Sequence, residues 1–256
     1  MCINVFSFGN STKYSFVLIA NRDEYLNRKS LPASFHGENN SILSGIDSEK
    51  SGTWLGITKS GRFAMVTNFR NPRLIMDLKT TRGQLVNDFL SSELSPMEYC
   101  QTVKSTWDQF NGFNLIVADL NDLNFWYASN ISLETCKLDP GLHGICNAFL
   151  DTPWPKMNLL KEGLRNVMKE EETLNLDLLQ PLLLNKKKFP PTELPNTGVS
   201  TAIEELLSSI FISSPAYGTV CSTVILVDFH GKVLFRELVH NHVQSTFVSN
   251  DFQFYI

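Results

Sequence analysis

The chain has 256 residues, of which 43% are hydrophobic and 19% charged, with a net charge of −4 and a pI near 5.7. This composition is typical of a globular protein with a sizeable core, and it argues against nucleic acid or an anionic membrane as the main partner. The cysteine count is odd and no Cys-x-x-Cys pair occurs, so neither a disulfide framework nor a zinc knuckle is indicated, and we expect a reducing compartment, most simply the cytosol.

Two β-hairpins are predicted in the first part of the chain. Residues 2–8 and 14–20 are rich in Val, Ile and Phe and are separated by GNSTK, which predicts a hairpin that begins at Cys2. The apolar run FVLIA ends at the charged NRDE, so we expect neither a signal peptide nor a membrane span. The second hairpin is predicted from TWLGIT, the turn KSGR and FAMVTN.

Helical and strand patterns alternate in blocks through the rest of the chain. Helices are predicted at 82–92 and 95–109, and Ser95-Pro96 is a favourable start for the second. Strands are predicted from FNLIVADL, LNFWYAS and LETCKL, helices at about 156–172, 174–186 and 199–210, and a last hairpin from STVILVDF, HGK and VLFREL. The segment 185–198 has the composition of a polar, proline-rich loop. This order predicts an α+β sandwich in which sheets lie between helical layers.

Cys2 is the first candidate for chemistry. If the initiator methionine is removed, Cys2 carries a thiol and a free α-amine, which together make a nucleophile with its own base. The simpler explanation is a chance Met-Cys start with a small buried cysteine. These first residues alone leave both explanations open.

Four further polar residues stand at strand ends or beside glycines: Arg22, Asp23, Asn68 and Asn147. Together with Cys2 they suggest an amidase site. Asp23 would orient the α-amine, Arg22 would hold the thiolate and lower its pKa, and the two asparagines would donate hydrogen bonds to an oxyanion. Turn chemistry and a surface ion pair explain the same residues equally well when each is taken alone. The five histidines give little indication of a metal site, and we expect none.

Eight segments of the chain resemble, in order, the blocks of the transport and Golgi organisation protein 2 family, also called the NRDE family after residues 21–24. They are MCI, ANRDE, GTWLGI, GRFAMVTNFR, TRGQLV, FNGFNL, HGICNAFLDTPWPK and YGTVCSTVILVD. We therefore expect residues 1–256 to form a single NRDE-family domain. This family is similar to N-terminal-nucleophile cysteine hydrolases of the penicillin acylase and bile salt hydrolase type.

The resemblance implies a four-layer αββα sandwich, and it maps the hydrolase site onto Cys2, Arg22, Asp23, Asn68 and Asn147. These residues would be catalytic in a hydrolase and would otherwise line the pocket. Two positions depart from the family pattern. Val220 replaces a common arginine inside YGTR, so a second cationic pocket group is missing, and Ser51 replaces a glycine before GTWLG.

The resemblance also implies a function: a cytoplasmic haem chaperone that mobilises haem between compartments, with recipient haemoproteins as partners and a link to acyl-coenzyme A and lipid metabolism. Association with mitochondria or other organelles stays open. His, Cys, Met and Tyr are all available as axial ligands, and nothing in the residues themselves selects one. We expect a small amphipathic ligand, haem or an acyl compound, with no catalytic cofactor, no nucleic acid and no stable membrane insertion.

Two alternatives remain at this point. The first is an N-terminal cysteine hydrolase that acts on an amide or an acyl thioester through Cys2. The second is a structural or membrane-organising factor without a small ligand, for which the terminal FQFYI is too short to serve as an anchor.

Overall fold

The computed structural model describes residues 2–76, 80–171 and 173–256. Its strands, in chain order, are β1 (Cys2–Phe8), β2 (Tyr14–Tyr25), β3 (Ser30–His36), β4 (Ile42–Asp47), β5 (Leu55–Thr58), β6 (Arg62–Asn68), β7 (Phe113–Asp119), β8 (Asn124–Ser129), β9 (Glu134–Lys137), β10 (Gly141–Ile145), β11 (Tyr217–Asp228), β12 (Lys232–Asn241) and β13 (Thr246–Tyr255). They form a six-stranded sheet in the order β10-β1-β2-β11-β12-β13 and a seven-stranded sheet in the order β3 to β9. Neighbouring strands in both sheets are antiparallel.

Among the described residues, five α-helices accompany the sheets: α1 (Gly83–Ser91), α2 (Pro96–Lys104), α3 (Pro155–Glu170), α4 (Leu176–Leu179) and α5 (Thr201–Leu206). The predicted start of α2 is confirmed by a complete capping box. The Ser95 hydroxyl accepts the backbone N–H of Glu98 at 3.3 Å, and the Glu98 carboxylate accepts the backbone N–H of Ser95 at 2.9 Å.

The layers follow from the alternation of side chains along each strand. On β1, Phe6 and Phe8 face the other sheet and form the central core, whereas Ile3 and Val5 face helix α3. On the seven-stranded sheet, Phe63 faces the central core, and its neighbours on β6 pack against α1 and α2. Helices therefore cover the outer faces of two stacked sheets, and the predicted four-layer αββα sandwich is confirmed.

Both early hairpins are confirmed, although β2 continues through the NRDE segment to Tyr25. The strand β1 lies between β10 and β2, one position from the sheet edge, so the centre of the sheet is formed by β2 and β11. Strands β3, β4, β10 and β13 were not predicted. In β13, the side chains of Phe252 and Phe254 alternate inward and pack against the central core.

Three predicted helices are shorter in the structure. The second ends at Lys104 and is followed by a separate turn at Trp107–Gln109. The 174–186 pattern gives α4 and then a 3₁₀ turn, Gln180–Leu184, because Pro181 has no N–H to continue an α-helix. The 199–210 pattern ends at Leu206, just before Ser208, whose hydroxyl bonds the Glu205 carbonyl at 2.7 Å. Glu172, in the predicted helix 156–172, lies outside the described residues.

Candidate functional site

The start of β1, the end of β2 and the end of β6 meet around a cavity of about 240 Å³. Because β1 and β2 are antiparallel, the first residue of β1, Cys2, lies directly opposite Arg22 near the end of β2. Cys2, Arg22, Asp23 and Asn68 all line this cavity, which we call the polar cavity. The structure thus brings four of the five candidate residues together from three strands.

Cys2 lies on the face of β1 that is turned toward the second sheet, in the same alternation as Phe6 and Phe8. Burial raises the pKa of its thiol above the ordinary value, and Arg22 acts in the opposite direction without reversing the shift. Arg22 lowers the pKa of the Cys2 thiol, but burial raises it by more. A reaction at Cys2 therefore needs a base that removes the thiol proton.

Arg22 is 6% exposed and is held by groups of both sheets. Its guanidinium lies 3.6 Å from the Asp47 carboxylate, 4.0 Å from that of Glu24, and over the Trp54 ring at 4.4 Å. Asp47 also binds Arg28 at 2.7 Å, so one carboxylate is shared by two arginines. The Nη1 atom of Arg22 is buried and has no hydrogen-bond partner among the described residues, which leaves it available to a group in the cavity.

Asp23 is fixed by a β-bulge in the neighbouring strand. Cys221 pairs with Arg22, so regular pairing would place Val220 opposite Asp23; instead Val220 is the extra residue and Thr219 takes that position. The Thr219 hydroxyl accepts the N–H of Ile212 at 2.9 Å and donates to Asp23 Oδ1 at 2.7 Å. The position that departs from the family pattern, Val220, is therefore the unpaired residue of the bulge.

A buried ammonium group acts on Asp23 from the helical layer. Lys156, in the first turn of α3, is 2% exposed, and its Nζ donates to the Leu207 carbonyl at 2.8 Å. Burial raises the pKa of Asp23, while the charge of Lys156 and the hydroxyl of Thr219 act against that shift. The sequence analysis did not identify Lys156 or Thr219 as partners of Asp23. For Lys156, the signal was a lysine on the apolar face of a helix, in the block DTPWPK.

The two candidate asparagines have different positions. Asn68 lines the polar cavity, but Asn147 is 1% exposed and is not among the described residues that line it. The Asn147 side-chain amide donates to the Asn68 backbone carbonyl at 2.9 Å, and the Asn147 backbone carbonyl accepts the backbone N–H of Arg70 at 2.8 Å. Asn147 therefore holds the end of β6 from behind, and Asn68 is the asparagine placed to meet a ligand.

A second cavity of about 450 Å³, the apolar cavity, adjoins the first. The two share Glu24, Asn68, Arg82 and Asn111. The remaining lining residues are mostly apolar or aromatic: Tyr25, Phe69, Arg70, Asn71, Pro72, Ile75, Val199, Ile203, Leu206, Leu207 and Tyr217. A ligand with a polar reacting group and an apolar tail fits this pair of cavities.

Arg82 stands at the junction of the two cavities, at the start of α1. Its Nη1 donates to the Gly112 carbonyl at 3.1 Å, and no carboxylate of the described residues lies within ion-pair distance. Burial lowers the pKa of its guanidinium, with Glu24 acting against this. Arg82 thus adds a cationic group to the pocket beside Arg22, Arg28 and Lys50, despite Val220. The signal for it in the sequence was its place in the block TRGQLV.

Other chemistry-bearing residues lie elsewhere. His240 and His242 line a separate cavity, where His240 Nε2 contacts the Ser222 hydroxyl at 2.8 Å. Across residues 2–76, 80–171 and 173–256, no group of three or more His, Cys, Asp or Glu is placed to hold a metal ion. Over the same residues, we find no helix with the length and apolar character needed to cross a membrane.

A family comparison and a comparison with individual proteins give the same family for this chain. Residues 1–241 match the family described as Transport and Golgi organisation 2. A mouse relative, "Transport and Golgi organization 2 homolog", is 36% identical over 255 residues, which cover 93% of this chain and 92% of the mouse protein.

Two solved structures are similar at lower identity. The Caenorhabditis elegans N-acylethanolamine-hydrolyzing acid amidase orthologue has a TM-score of 0.49 and 12% identity, over 88% of this chain and 92% of its own. The C2A mutant of the conjugated bile acid hydrolase from Clostridium perfringens has a TM-score of 0.49 and 10% identity, over 98% and 92%. From the family match and the mouse relative, this chain belongs to the Transport and Golgi organisation 2 family.

Proposed function

We propose that this chain binds an amphipathic acyl compound across the two adjoining cavities and hydrolyses its amide or thioester bond at Cys2. The observation that carries the proposal is the convergence of Cys2, Arg22, Asp23 and Asn68 on a polar cavity that opens into an apolar one. The polar cavity suits the reacting carbonyl and the apolar cavity suits the acyl chain.

The reaction requires removal of Met1, which lies outside the described residues, so that Cys2 has a free α-amine. This amine accepts the thiol proton as sulfur attacks the carbonyl carbon, and it then gives the proton to the departing amine or thiol. Water next attacks the thioester formed on Cys2, and the same α-amine accepts a proton from the water and returns it to sulfur. The products are the carboxylic acid and the free thiol of Cys2.

The neighbouring residues have distinct roles in this proposal. Asp23, whose Oδ1 accepts the Thr219 hydroxyl, orients the α-amine and stabilises its protonated form. The buried guanidinium of Arg22 offers its free Nη1 to the thiolate or to the ligand. Asn68 donates to the oxyanion, and Asn147 supports it through the backbone of β6.

Intact-mass measurement and a substrate panel test this function. Protein purified from its own cells is expected to lack Met1, and to hydrolyse some member of a panel of acyl amides and thioesters with graded chain lengths. Cys2→Ala should lower the rate by at least about 10³-fold. Cys136→Ala, which removes an exposed thiol on β9, is the matched control and should retain full activity. Retention of Met1, or hydrolysis that survives Cys2→Ala, would overturn the proposal.

Haem carriage is a second candidate function, in which the chain mobilises haem between compartments and transfers it to recipient haemoproteins. The observation that favours it is an apolar cavity bordered by the Tyr25 phenol and the Arg82 guanidinium. Tyrosine is a known class of axial haem ligand, and arginine suits the propionate carboxylates. No histidine of the described residues lines either cavity.

Haem titration distinguishes the two functions. A carrier is expected to change the visible spectrum of haem, to pass haem to an apo-haemoprotein, and to keep both properties in Cys2→Ala. Tyr25→Phe should alter the spectrum if the phenol is the axial ligand. The absence of any spectral change on titration would exclude haem as the cargo.

We also propose a reducing compartment, the cytoplasm, as the site of action. All five cysteines are free, including the exposed Cys136 and the partly exposed Cys2, which supports this assignment. Alkylation of the intact cell followed by peptide mapping should label Cys136 as a free thiol; finding it oxidised would contradict the assignment.

A further inference from the structure

The mouth of the apolar cavity carries large exposed apolar side chains. Ile75 lines this cavity and is 69% exposed, and its chain neighbours Leu74 and Met76 are 46% and 57% exposed. Tyr25 and Ile203, on other walls of the same cavity, are 60% and 44% exposed. We call these five residues the apolar rim. Single exposed apolar residues are ordinary, but a group of this size around one opening is typical of an interaction surface.

The loop that carries three of these residues is held in place by hydrogen bonds. Asn111 accepts the N–H of Met76 at 2.8 Å and donates to its carbonyl at 3.0 Å. At the other end, Asn71 accepts the N–H of Arg73 through its side chain at 3.2 Å and that of Leu74 through its carbonyl at 3.0 Å. The backbone is therefore anchored at both ends while its side chains point away from the core, so their exposure is a feature of the fold.

We propose that the apolar rim docks the protein on a lipid bilayer surface, from which the apolar cavity receives its amphipathic ligand. The choice of a lipid surface rests on the proposed binding of such a ligand. The rim is continuous with the apolar cavity, so a bilayer in contact with the rim delivers a lipid tail directly into it.

One exposed charge near the rim agrees with a lipid headgroup layer: Arg73 is exposed within the loop itself. Of the charged residues that line the apolar cavity, Arg70 is buried in an ion pair with Glu204, and Arg82 and Glu24 lie at the junction with the polar cavity. Because the whole chain has a net charge of −4, apolar contact provides most of the attraction, and anionic headgroups add a smaller part.

Vesicle co-sedimentation of the full chain, without any ligand, tests the docking surface. The probes are vesicles of phosphatidylcholine, alone and mixed with phosphatidylserine. We expect the native chain to bind both, with somewhat stronger binding to the mixed vesicles. The double variant Leu74→Ser/Met76→Ser should bind at least about tenfold more weakly, because two large apolar side chains no longer enter the bilayer.

A matched control removes two exposed apolar side chains elsewhere. Leu133→Ser/Val243→Ser changes residues that are 63% and 96% exposed in other turns of the chain, and it should bind vesicles like the native chain. Equal weakening in both double variants, or no vesicle binding by the native chain, overturns the proposal. A concentration-dependent dimer in sedimentation velocity that only Leu74→Ser/Met76→Ser abolishes would also overturn it, because the rim would then bind a second copy.

The result of the vesicle-binding test can be distinguished from the result of the hydrolysis test. Hydrolysis of a water-soluble, short-chain substrate should be unchanged in Leu74→Ser/Met76→Ser, since neither residue is among the described residues that line either cavity. Loss of vesicle binding with retained hydrolysis supports docking and leaves the chemistry intact. Vesicle binding by a chain that hydrolyses nothing keeps docking and contradicts the hydrolase.

Discussion

The two adjoining cavities are built in opposite ways. The polar cavity is formed by long strands of both sheets, and its key side chains are almost fully buried: Arg22 is 6% exposed and Asp23 1%. The apolar cavity is lined in part by the loop 71–76 and the six-residue helix α5, and three of its large apolar side chains, Tyr25, Ile75 and Ile203, are exposed. Groups for chemistry are thus fixed by the sheets, and groups for binding are carried by short elements at the surface.

This difference has an energetic consequence. Asp23, buried beside Cys2, has lost water and depends on the Thr219 hydroxyl as a hydrogen-bond donor. A side chain such as Ile203 loses little when it is replaced, because it is already in contact with water. Substitutions at buried polar positions should therefore change stability or rate, whereas those at the rim should change binding alone.

The largest effect is expected where buried charge supports the apolar cavity. The Arg70 guanidinium and the Glu204 carboxylate are 2.6 Å apart, are 7% and 4% exposed, and join the end of β6 to α5 across the two walls of this cavity. Glu204→Gln removes a buried counter-charge of Arg70, so we expect the free energy of unfolding to fall by about 3 kcal/mol. Urea unfolding measures this, and Glu205→Gln is the neighbouring control. Equal stabilities of the two variants would show that the apolar cavity does not depend on buried charge.

The second prediction addresses the polar cavity through Thr219. Thr219→Val keeps the shape but removes the hydroxyl that lowers the pKa of Asp23, so that pKa should rise and the acid limb of the pH–rate profile should move to higher pH. We expect a rate loss of about 10–100-fold near neutral pH, that is, about 1.4–2.7 kcal/mol.

Thr219→Ser retains the hydroxyl and should restore the native pH profile. The valine variant also leaves the N–H of Ile212 without its acceptor, so some loss of stability is expected, but that loss alone does not shift a pH profile. An unshifted acid limb in Thr219→Val would contradict the assigned role of Thr219.

The third prediction concerns buried charge in the six-stranded sheet. Glu237 is 2% exposed, and burial raises its pKa from 4.5 to about 6, although its carboxylate accepts the N–H of Ala33 at 2.7 Å. The folded state thus binds the proton more tightly than the unfolded state. The protonated Glu237 stabilises the folded chain below pH 4.5, and this contribution is lost as pH rises through about 6, a change of about 2 kcal/mol.

Glu237→Gln should remove this part of the pH dependence. The difference in unfolding free energy between variant and native chain is expected to grow in favour of the variant from acid to neutral pH. Denaturant unfolding at a series of pH values measures it, and a constant difference across that range would show that Glu237 does not titrate on folding.

The smallest effect on stability is expected at the apolar rim. Ile203 is 44% exposed on α5, so Ile203→Ser should change the free energy of unfolding by no more than about 0.5 kcal/mol. The same variant should weaken binding of a long-chain ligand and leave hydrolysis of a short-chain one unchanged. A stability loss comparable with that of Glu204→Gln would remove the contrast between the two cavities.

Much of the sandwich could be predicted because its hairpins carry strong local signals. Alternating apolar residues around short polar turns specify β1–β2 and β5–β6, and the Ser95-Pro96 start specifies α2. The exposed edge strand β13 was missed because half of its side chains face water and its pattern is weak outside the sheet. The helices α4 and α5 were predicted too long because local apolar spacing does not register Pro181 or the backbone bonds of Ser208.

By itself, the sequence determined most of the strands around the candidate site, because alternation and turn composition act over a few neighbouring residues, and its family blocks indicated which polar residues to consider. Only the tertiary structure decided which side chains meet. The bulge at Val220 brings Thr219 to Asp23, α3 brings Lys156 toward it, and Asn147 stays behind Asn68. These contacts join residues far apart in the chain, and they depend on strand register and layer packing, which no local pattern encodes.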